Sequence, residues 1–240
     1  MSCSVAELIA PRPRVTFMDC DGVIYDANSA KCAAFEVALE GYPRPAVDDL
    51  LTWHRASGGI SRFVKLRRFF TELHPVPDPE RHIARALDRF AAASRAGYER
   101  LTPRREALAF AARLGGPERV YVVSGSAEDE LRGVFDAAGL ASRFAAVLGS
   151  PTTKIEHMTR ILRAHGVNPR QSLMVGDGRG DWEAAVALGV PFIYLAEMSE
   201  WRAAPRELAD SELVAMAPTW DHILAALNDA SPLHHAAERP

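Results

Sequence analysis

Three short apolar runs in this chain each end in a turn loaded with acid, hydroxyl or glycine. RVTFM (14–18) leads into Asp19-Cys20-Asp21-Gly22, VYVV (120–123) into Ser124-Gly125, and LMV (173–175) into Gly176-Asp177. Runs this short and this apolar read as buried strands. PFIYL (191–195) is a fourth, and 145–148 and 213–216 are weaker candidates. Helical patterns at 103–114, 127–138, 154–165 and 181–188 lie between most of them. Strands alternating with helices predict an α/β chain, a Rossmann-like doubly wound parallel sheet with helices on both faces. In such sheets ligands bind beyond the carboxyl ends of the strands. All three loaded turns fall there.

Residues 27–100 break the alternation, with almost no strand signal. They read as four helices, 28–40, 46–55, 60–73 and 79–97, separated by Pro43, Pro45, Gly58-Gly59 and the Pro75–Pro77 region. A helical block inserted after the first strand predicts a small second domain. The expected division is a catalytic core of 1–26 and 101–228, a helical cap of 27–100 hinged near 23–27 and 98–102, and a flexible tail of 229–240.

Charge and composition narrow the partners. A net charge of -3 does not suggest nucleic acid, although a local positive pocket still suits a small anion. The three cysteines, Cys3, Cys20 and Cys32, form no C-x-x-C pair and predict neither a disulfide framework nor a zinc site. The first fifteen residues lack a secretory apolar stretch, and no run approaches the roughly 18 residues of a membrane span. The expectation is a cytoplasmic protein without a membrane or nucleic-acid partner, a monomer or homodimer.

The loaded turns carry a recognisable chemistry. Asp19, at a strand end, can attack phosphorus and form an acyl-phosphate. Asp21 can protonate a leaving oxygen and then activate water. Gly22 permits a tight turn and brings backbone N–H groups toward phosphate. The plain alternative is a polar turn closing a strand. The Ser124 hydroxyl and the Gly125 N–H can hold a phosphate oxygen, while Ser126, with Asp129 three residues on, fits the N-cap of the next helix. Lys154 can neutralise a transferring phosphoryl group. Thr153 and Glu156 form a capping box around it, which places a cation where the helix dipole disfavours one. Mg²⁺ takes oxygen ligands and keeps several waters. One carboxylate from the first strand and one from Asp177 would suffice, with Asp181 orienting a metal-bound water or Lys154, or capping a helix that starts at Trp182.

These residues together resemble the haloacid dehalogenase superfamily, in its phosphatase branch with an inserted helical cap. MDCDGVIYD (18–26) and GDGRGDWEAA (176–185) carry the likeness, which extends over about 14–228. The resemblance implies Asp19 as nucleophile and Asp21 as general acid and base. It implies Mg²⁺ on Asp19, the Asp21 carbonyl and Asp177, with Asp181 a weaker ligand or acting from behind. Val23 stands where the commonest phosphatase wording has threonine. Dehalogenation is not expected, because dehalogenases of this family lack the acid that Asp21 supplies.

The segment from Trp53 through His54, Gly58-Gly59 and Ser61 to Arg62 is the part of the cap expected to meet substrate. Gly59-Ile-Ser-Arg62 is similar to the G-x-S-R element of β-phosphoglucomutase-like relatives, where the arginine grips the phosphate that is not transferred. His54, Gly59, Arg62 and Lys65 are therefore substrate-binding candidates. The alternative for the Arg62–Lys65 face is simple solvation. Phe63, Leu66, Phe70 and Leu73 form an apolar stripe expected in the core, and Trp53 either stacks on a sugar ring or packs half-buried. The expected function is a Mg²⁺-dependent phosphomonoester hydrolase acting on a small phosphorylated substrate such as a sugar phosphate. Its rivals are a phosphosugar mutase, a phosphonate-cleaving relative using Lys65 or Lys31, and a non-catalytic phospho-ligand-binding protein.

Overall fold

A computed structural model describes residues 3–209 and 211–229; the expected tail beyond Asp229 lies outside the described residues. In chain order the elements are α1 (Val5–Ile9), β1 (Val15–Met18), α2 (Asn28–Ala38), α3 (Arg44–Ala56), α4 (Arg62–Arg68), α5 (Pro79–Tyr98), α6 (Arg105–Arg113) and β2 (Val120–Ala127). Then follow α7 (Glu128–Ala137), β3 (Ala146–Ser150), α8 (Lys154–His165), β4 (Ser172–Gly176), α9 (Arg179–Leu188), β5 (Phe192–Leu195), α10 (Ala204–Glu207), β6 (Val214–Ala217) and α11 (Trp220–Asp229). The helix α1, closed by a Ser4–Glu7 capping box, was not expected from the sequence.

The strands form one six-stranded sheet in the order β3-β2-β1-β4-β5-β6, and every pairing is parallel. Both faces are covered, which is why the strands are continuous apolar runs. Alternation along each strand divides the core. Met18, Val122, Val175 and Ile193 pack against Phe110 and Trp220 on one face. Phe17, Val123, Met174 and Phe192 pack against Met158, Ile161 and Ala185 on the other. The chain leaves β1 toward β2 and β3, then crosses back to β4 on the other side. The crevice where the order reverses is therefore above β1 and β4.

Helices α2 to α5 close a third core of their own, around Phe35, Leu50, Leu66, Phe69, Phe70 and Phe90. The expected single helix at 60–73 is instead α4 followed by a π-helical turn, Phe69–Leu73. The wider turn brings Phe69 inward beside Phe70. Phe63 is left half-buried on an outer groove with Trp53 and Ile83, so it does not join the stripe. Among the described residues no helix is long and apolar enough to cross a membrane.

Candidate active site

At the carboxyl ends of β1 and β4 three carboxylates converge. Asp19, Asp177 and Asp181 are buried, and one oxygen of each lies within 4.8 Å of the others. Asp19 follows β1 directly, and its N–H donates to the Val175 carbonyl of β4 at 2.9 Å, which locks the two loops together. Lys154, the first residue of α8, reaches in with Nζ 2.5 Å from Asp181 Oδ1 and 2.8 Å from Asp19 Oδ1. The Asp19 contact is an ion pair without hydrogen-bond geometry, so Asp19 Oδ1 has no hydrogen-bond partner.

Electrostatics follow from this crowding. Burial, then Asp181, pushes the Asp19 carboxyl up to about 7 despite Lys154. Burial and the neighbouring Asp19 and Asp181 raise Asp177 well above the carboxylate range. Burial would lower Lys154, but Asp181 and Asp19 overcome it and hold the ammonium above its ordinary value. One cation against three desolvated carboxylates leaves an oxygen-rich seat short of positive charge, the chemistry of a hard divalent cation such as Mg²⁺. The residues fit such an ion.

Asp21 belongs to the same turn yet has different neighbours. Its Oδ2 accepts from Lys31 Nζ of α2 and, at 3.0 Å, from Ser126 Oγ; its Oδ1 accepts from the Tyr98 hydroxyl at the end of α5. Burial alone would raise Asp21, but Lys31 with these hydrogen bonds holds it below its ordinary value. Asn28 Nδ2 donates to Asp177 Oδ2 at 2.8 Å, so the start of α2 touches both acid loops. Lys31 entered the sequence reading only as a cap lysine, and Asn28 and Tyr98 did not enter it. They lie outside the strand-end turns, and only the packing of α2 and α5 on the sheet brings them in.

Several expected placements are corrected. Ser126 caps no helix: β2 runs on to Ala127, which is the uncapped N-cap of α7, and the Ser126 hydroxyl turns to Asp21 and Lys31. Asp181 is not the N-cap of a helix starting at Trp182. α9 begins at Arg179, so Asp181 stands one turn inside and accepts from the Gly178 N–H at 3.0 Å. The Gly22 N–H donates to the Tyr25 carbonyl at 2.7 Å and is not offered to phosphate. What requires glycine there is room, because a methyl at Gly22, which has φ +75°, would fall 2.1 Å from Asp177 Oδ2. Ser124 is buried and accepts from the Ser126 N–H at 3.2 Å, facing a cleft it shares with Gly125 and Lys154.

The helical block lies directly on this site. The Gly180 N–H donates to the Gly58 carbonyl at 2.9 Å, and a methyl at Gly125 would fall 2.4 Å from the Gly59 carbonyl oxygen. Glycine against glycine lets the two backbones meet. The cavity beneath is bounded by Asp19, Asp21 and Asp177 below and by His54, Arg62 and Lys65 above. Arg62 and Lys65 are buried, so the solvated alternative fails. Lys65 Nζ lies 2.7 Å from His54 Nδ1 and donates to the Ser57 carbonyl at 3.0 Å. Burial, then Lys31, pushes Lys65 down to about 7; burial and Lys65 push His54 down to about 2. Burial thus favours the neutral ring, and His54 Nε2, like Arg62 Nε, is buried without a hydrogen-bond partner. Trp53 lies away from the cavity, under the Arg68 guanidinium at 4.3 Å, and is not placed to stack on a ligand there.

Comparison with known proteins adds a family. The model of haloacid dehalogenase-like hydrolases matches residues 13–189. A hydrolase from Pseudomonas syringae superposes with TM-score 0.71 at 16% identity, covering 90% of this chain and 98% of its own. A putative phosphoglycolate phosphatase from Lactobacillus plantarum gives 0.68 at 15% identity, covering 89% and 99%. CbbY from Rhodobacter sphaeroides, in complex with phosphate, gives 0.66 at 16% identity, covering 90% and 99%. At these identities the structures share a fold with this chain. No curated protein matches it in sequence.

Proposed function

Because the chain belongs to the haloacid dehalogenase-like hydrolase family, we propose that it is a Mg²⁺-dependent phosphomonoester hydrolase working through an aspartyl-phosphate on Asp19. The observation that carries this reading is the pair of unlike acids in one turn. Asp19 sits among carboxylates with Lys154 as its cation, while Asp21 is held apart by Lys31, Tyr98 and Ser126. Asp19, Asp177 and the Asp21 carbonyl would hold Mg²⁺, which supplies charge neutralisation between nucleophile and phosphoryl oxygens. Both Asp181 oxygens are already committed, one to Lys154 and one to the Gly178 N–H, so Asp181 orients Lys154.

The steps fall to the chain's own residues. An Asp19 oxygen attacks phosphorus as the bond to the leaving oxygen breaks, and Asp21 gives that oxygen its proton. Asp21, now a carboxylate, takes a proton from water, whose oxygen attacks phosphorus and releases phosphate from Asp19. Lys31 and the hydrogen bonds to Asp21 favour its second, proton-accepting form, so Asp21 must gain a proton before the first step. Lys154 and the Ser124–Gly125 turn stabilise charge on the phosphoryl oxygens. The 27–100 block acts as a cap over the 1–26 and 101–228 core, excluding bulk water. His54, Gly59, Arg62 and Lys65 meet the non-reacting end of the substrate. That end is anionic or polyhydroxylated, as in a sugar phosphate. The names of the similar structures, a phosphoglycolate phosphatase and a phosphate complex, support a phosphoryl substrate.

The test is phosphate release from a panel of sugar and small-acid phosphates with Mg²⁺, run beside Asp19→Asn. Release should depend on Mg²⁺ and fall at least about 10³-fold in the folded variant. Undiminished release from Asp19→Asn would remove Asp19 as nucleophile. Isomerised sugar phosphate without free phosphate would make the protein a mutase.

A further inference from the structure

The arginine on the cap wall already has an anion in its grip. Arg62, only 8% exposed, donates from one terminal nitrogen to Glu130 Oε2 at 2.6 Å and from the other to Glu130 Oε1. The Phe90 and Phe63 rings lie 5.0 and 5.6 Å from the guanidinium carbon and fix its plane. Glu130 comes from α7, beside the sheet, so the pair ties the helical block to the sheet domain at the edge of the cavity.

We propose that Glu130 tunes substrate preference as an internal competitor: a built-in carboxylate that fills the Arg62 seat until a substrate bearing a second anionic group displaces it. This rests on the phosphomonoesterase reading and narrows the substrate to esters with a carboxylate or second phosphate on the leaving part. A guanidinium fork takes a carboxylate and a phosphate with the same two-pronged geometry. A buried arginine stripped of its counter-charge is strongly disfavoured. An incoming anion exchanges like for like and leaves Arg62 neutralised. A hydroxyl or methyl tail cannot, so an uncharged tail leaves the Arg62–Glu130 pair intact and gains nothing when Glu130 is removed. Glu130 also has somewhere to go. Its side chain is 22% exposed and lines a second, outer groove whose rim carries Arg95, which is exposed and in no ion pair among the described residues.

The experiment uses short alkyl phosphates of graded length, in pairs with and without a terminal carboxylate. For each pair the ratio of kcat/KM is compared between the native protein, Glu130→Gln, Arg62→Ala and the double variant, with thermal melting to verify folding. Glu130→Gln should raise the ratio by about tenfold, through KM, and the gain should vanish when Arg62 is also removed. Glu130→Asp, should the glutamine variant fail to fold, keeps the charge on a shorter arm and should raise the ratio by a smaller factor. An unchanged ratio, or a gain that survives loss of Arg62, overturns the proposal. If the native protein hydrolyses neither member of any pair, and releases no phosphate from the sugar and small-acid panel either, the phosphatase reading fails on its own. Inorganic phosphate titrated into the metal-free proteins then decides: about tenfold tighter binding to Glu130→Gln, dependent on Arg62, upholds the inference, and equal affinity ends it.

Discussion

The floor and the roof of the cavity carry opposite imbalances. On the floor, Asp19, Asp177 and Asp181 crowd together, with Lys154 on Asp19 and Asp181 the one cation in contact among the described residues, and burial drives two of the acids toward protonation. On the roof, Arg62 and Lys65 are buried with Glu130 as the single carboxylate in contact among the described residues, and burial drives Lys65 toward deprotonation. The floor lacks a cation and the roof lacks an anion. In the proposed function, a phosphate ester with Mg²⁺ would supply both at once. Under the proposed function, metal affinity would rest on the strand ends, and substrate selectivity on α3, α4 and Glu130 of α7.

The largest effect expected on this contrast comes from Asp177→Asn. Removing one floor carboxylate should lower phosphate release at least about 10³-fold, because the metal seat loses a charged ligand. The same change should raise thermal stability in metal-free buffer, since one desolvated carboxylate fewer faces Asp19 and Asp181. The native protein should gain stability as Mg²⁺ is added, and the variant should not. Phosphate release reads the first of these, and melting curves with and without Mg²⁺ read the other two. A variant less stable than native without metal would show that the floor is not short of cations.

The floor was legible in the sequence for a physical reason. A parallel sheet gathers its strand ends on one edge, so residues just after apolar runs meet whatever the chain does between them. Asp19, Ser124 and Asp177 needed no more than that, and Lys154 was fixed by the capping box of α8. The errors arose where two local rules competed. Ser126-x-x-Asp129 satisfies the capping pattern, but β2 extends through Ala127, and Asp21 with Lys31 takes the hydroxyl. The roof was only half legible. Arg62 and Lys65 stand out as a basic pair beside two glycines, yet their partners Glu130, His54 and Ser57 come from other elements or other turns. No local pattern fixes how α4 packs on α7, so the ion pair across the cavity could not be read.

Lys65 tests the roof by pH. Its ammonium is pressed down by burial and by Lys31, relieved only in part by Cys32, Glu200 and Asp21, with neutral His54 in contact. Between about 7 and the ordinary value of 10.5 the unfolded chain holds a proton that the folded chain does not. Stability from this group therefore rises with pH across that window, and its burial costs most below pH 7. Lys65→Met should stabilise the protein by on the order of a few kcal/mol near pH 6.5, with the gain shrinking toward pH 10. Denaturant unfolding at both pH values measures it. A gain that does not change with pH would mean that Lys65 is not buried as a charge.

The smallest effect separates local from tertiary support on the floor. Lys154 stands at the first position of α8, where the helix dipole opposes a cation, and the Thr153–Glu156 box closes that turn through contacts of 3.2 and 2.8 Å. Thr153→Ala should cost about 1 kcal/mol of stability and Thr153→Ser almost none, because serine restores the hydroxyl. Turnover should fall far less than in Lys154→Ala, since Asp19 and Asp181 grip the ammonium from the opposite side whether or not the turn is capped. If Thr153→Ala lowers turnover as much as Lys154→Ala does, the lysine is positioned by its own helix, and the acids of the floor merely receive it.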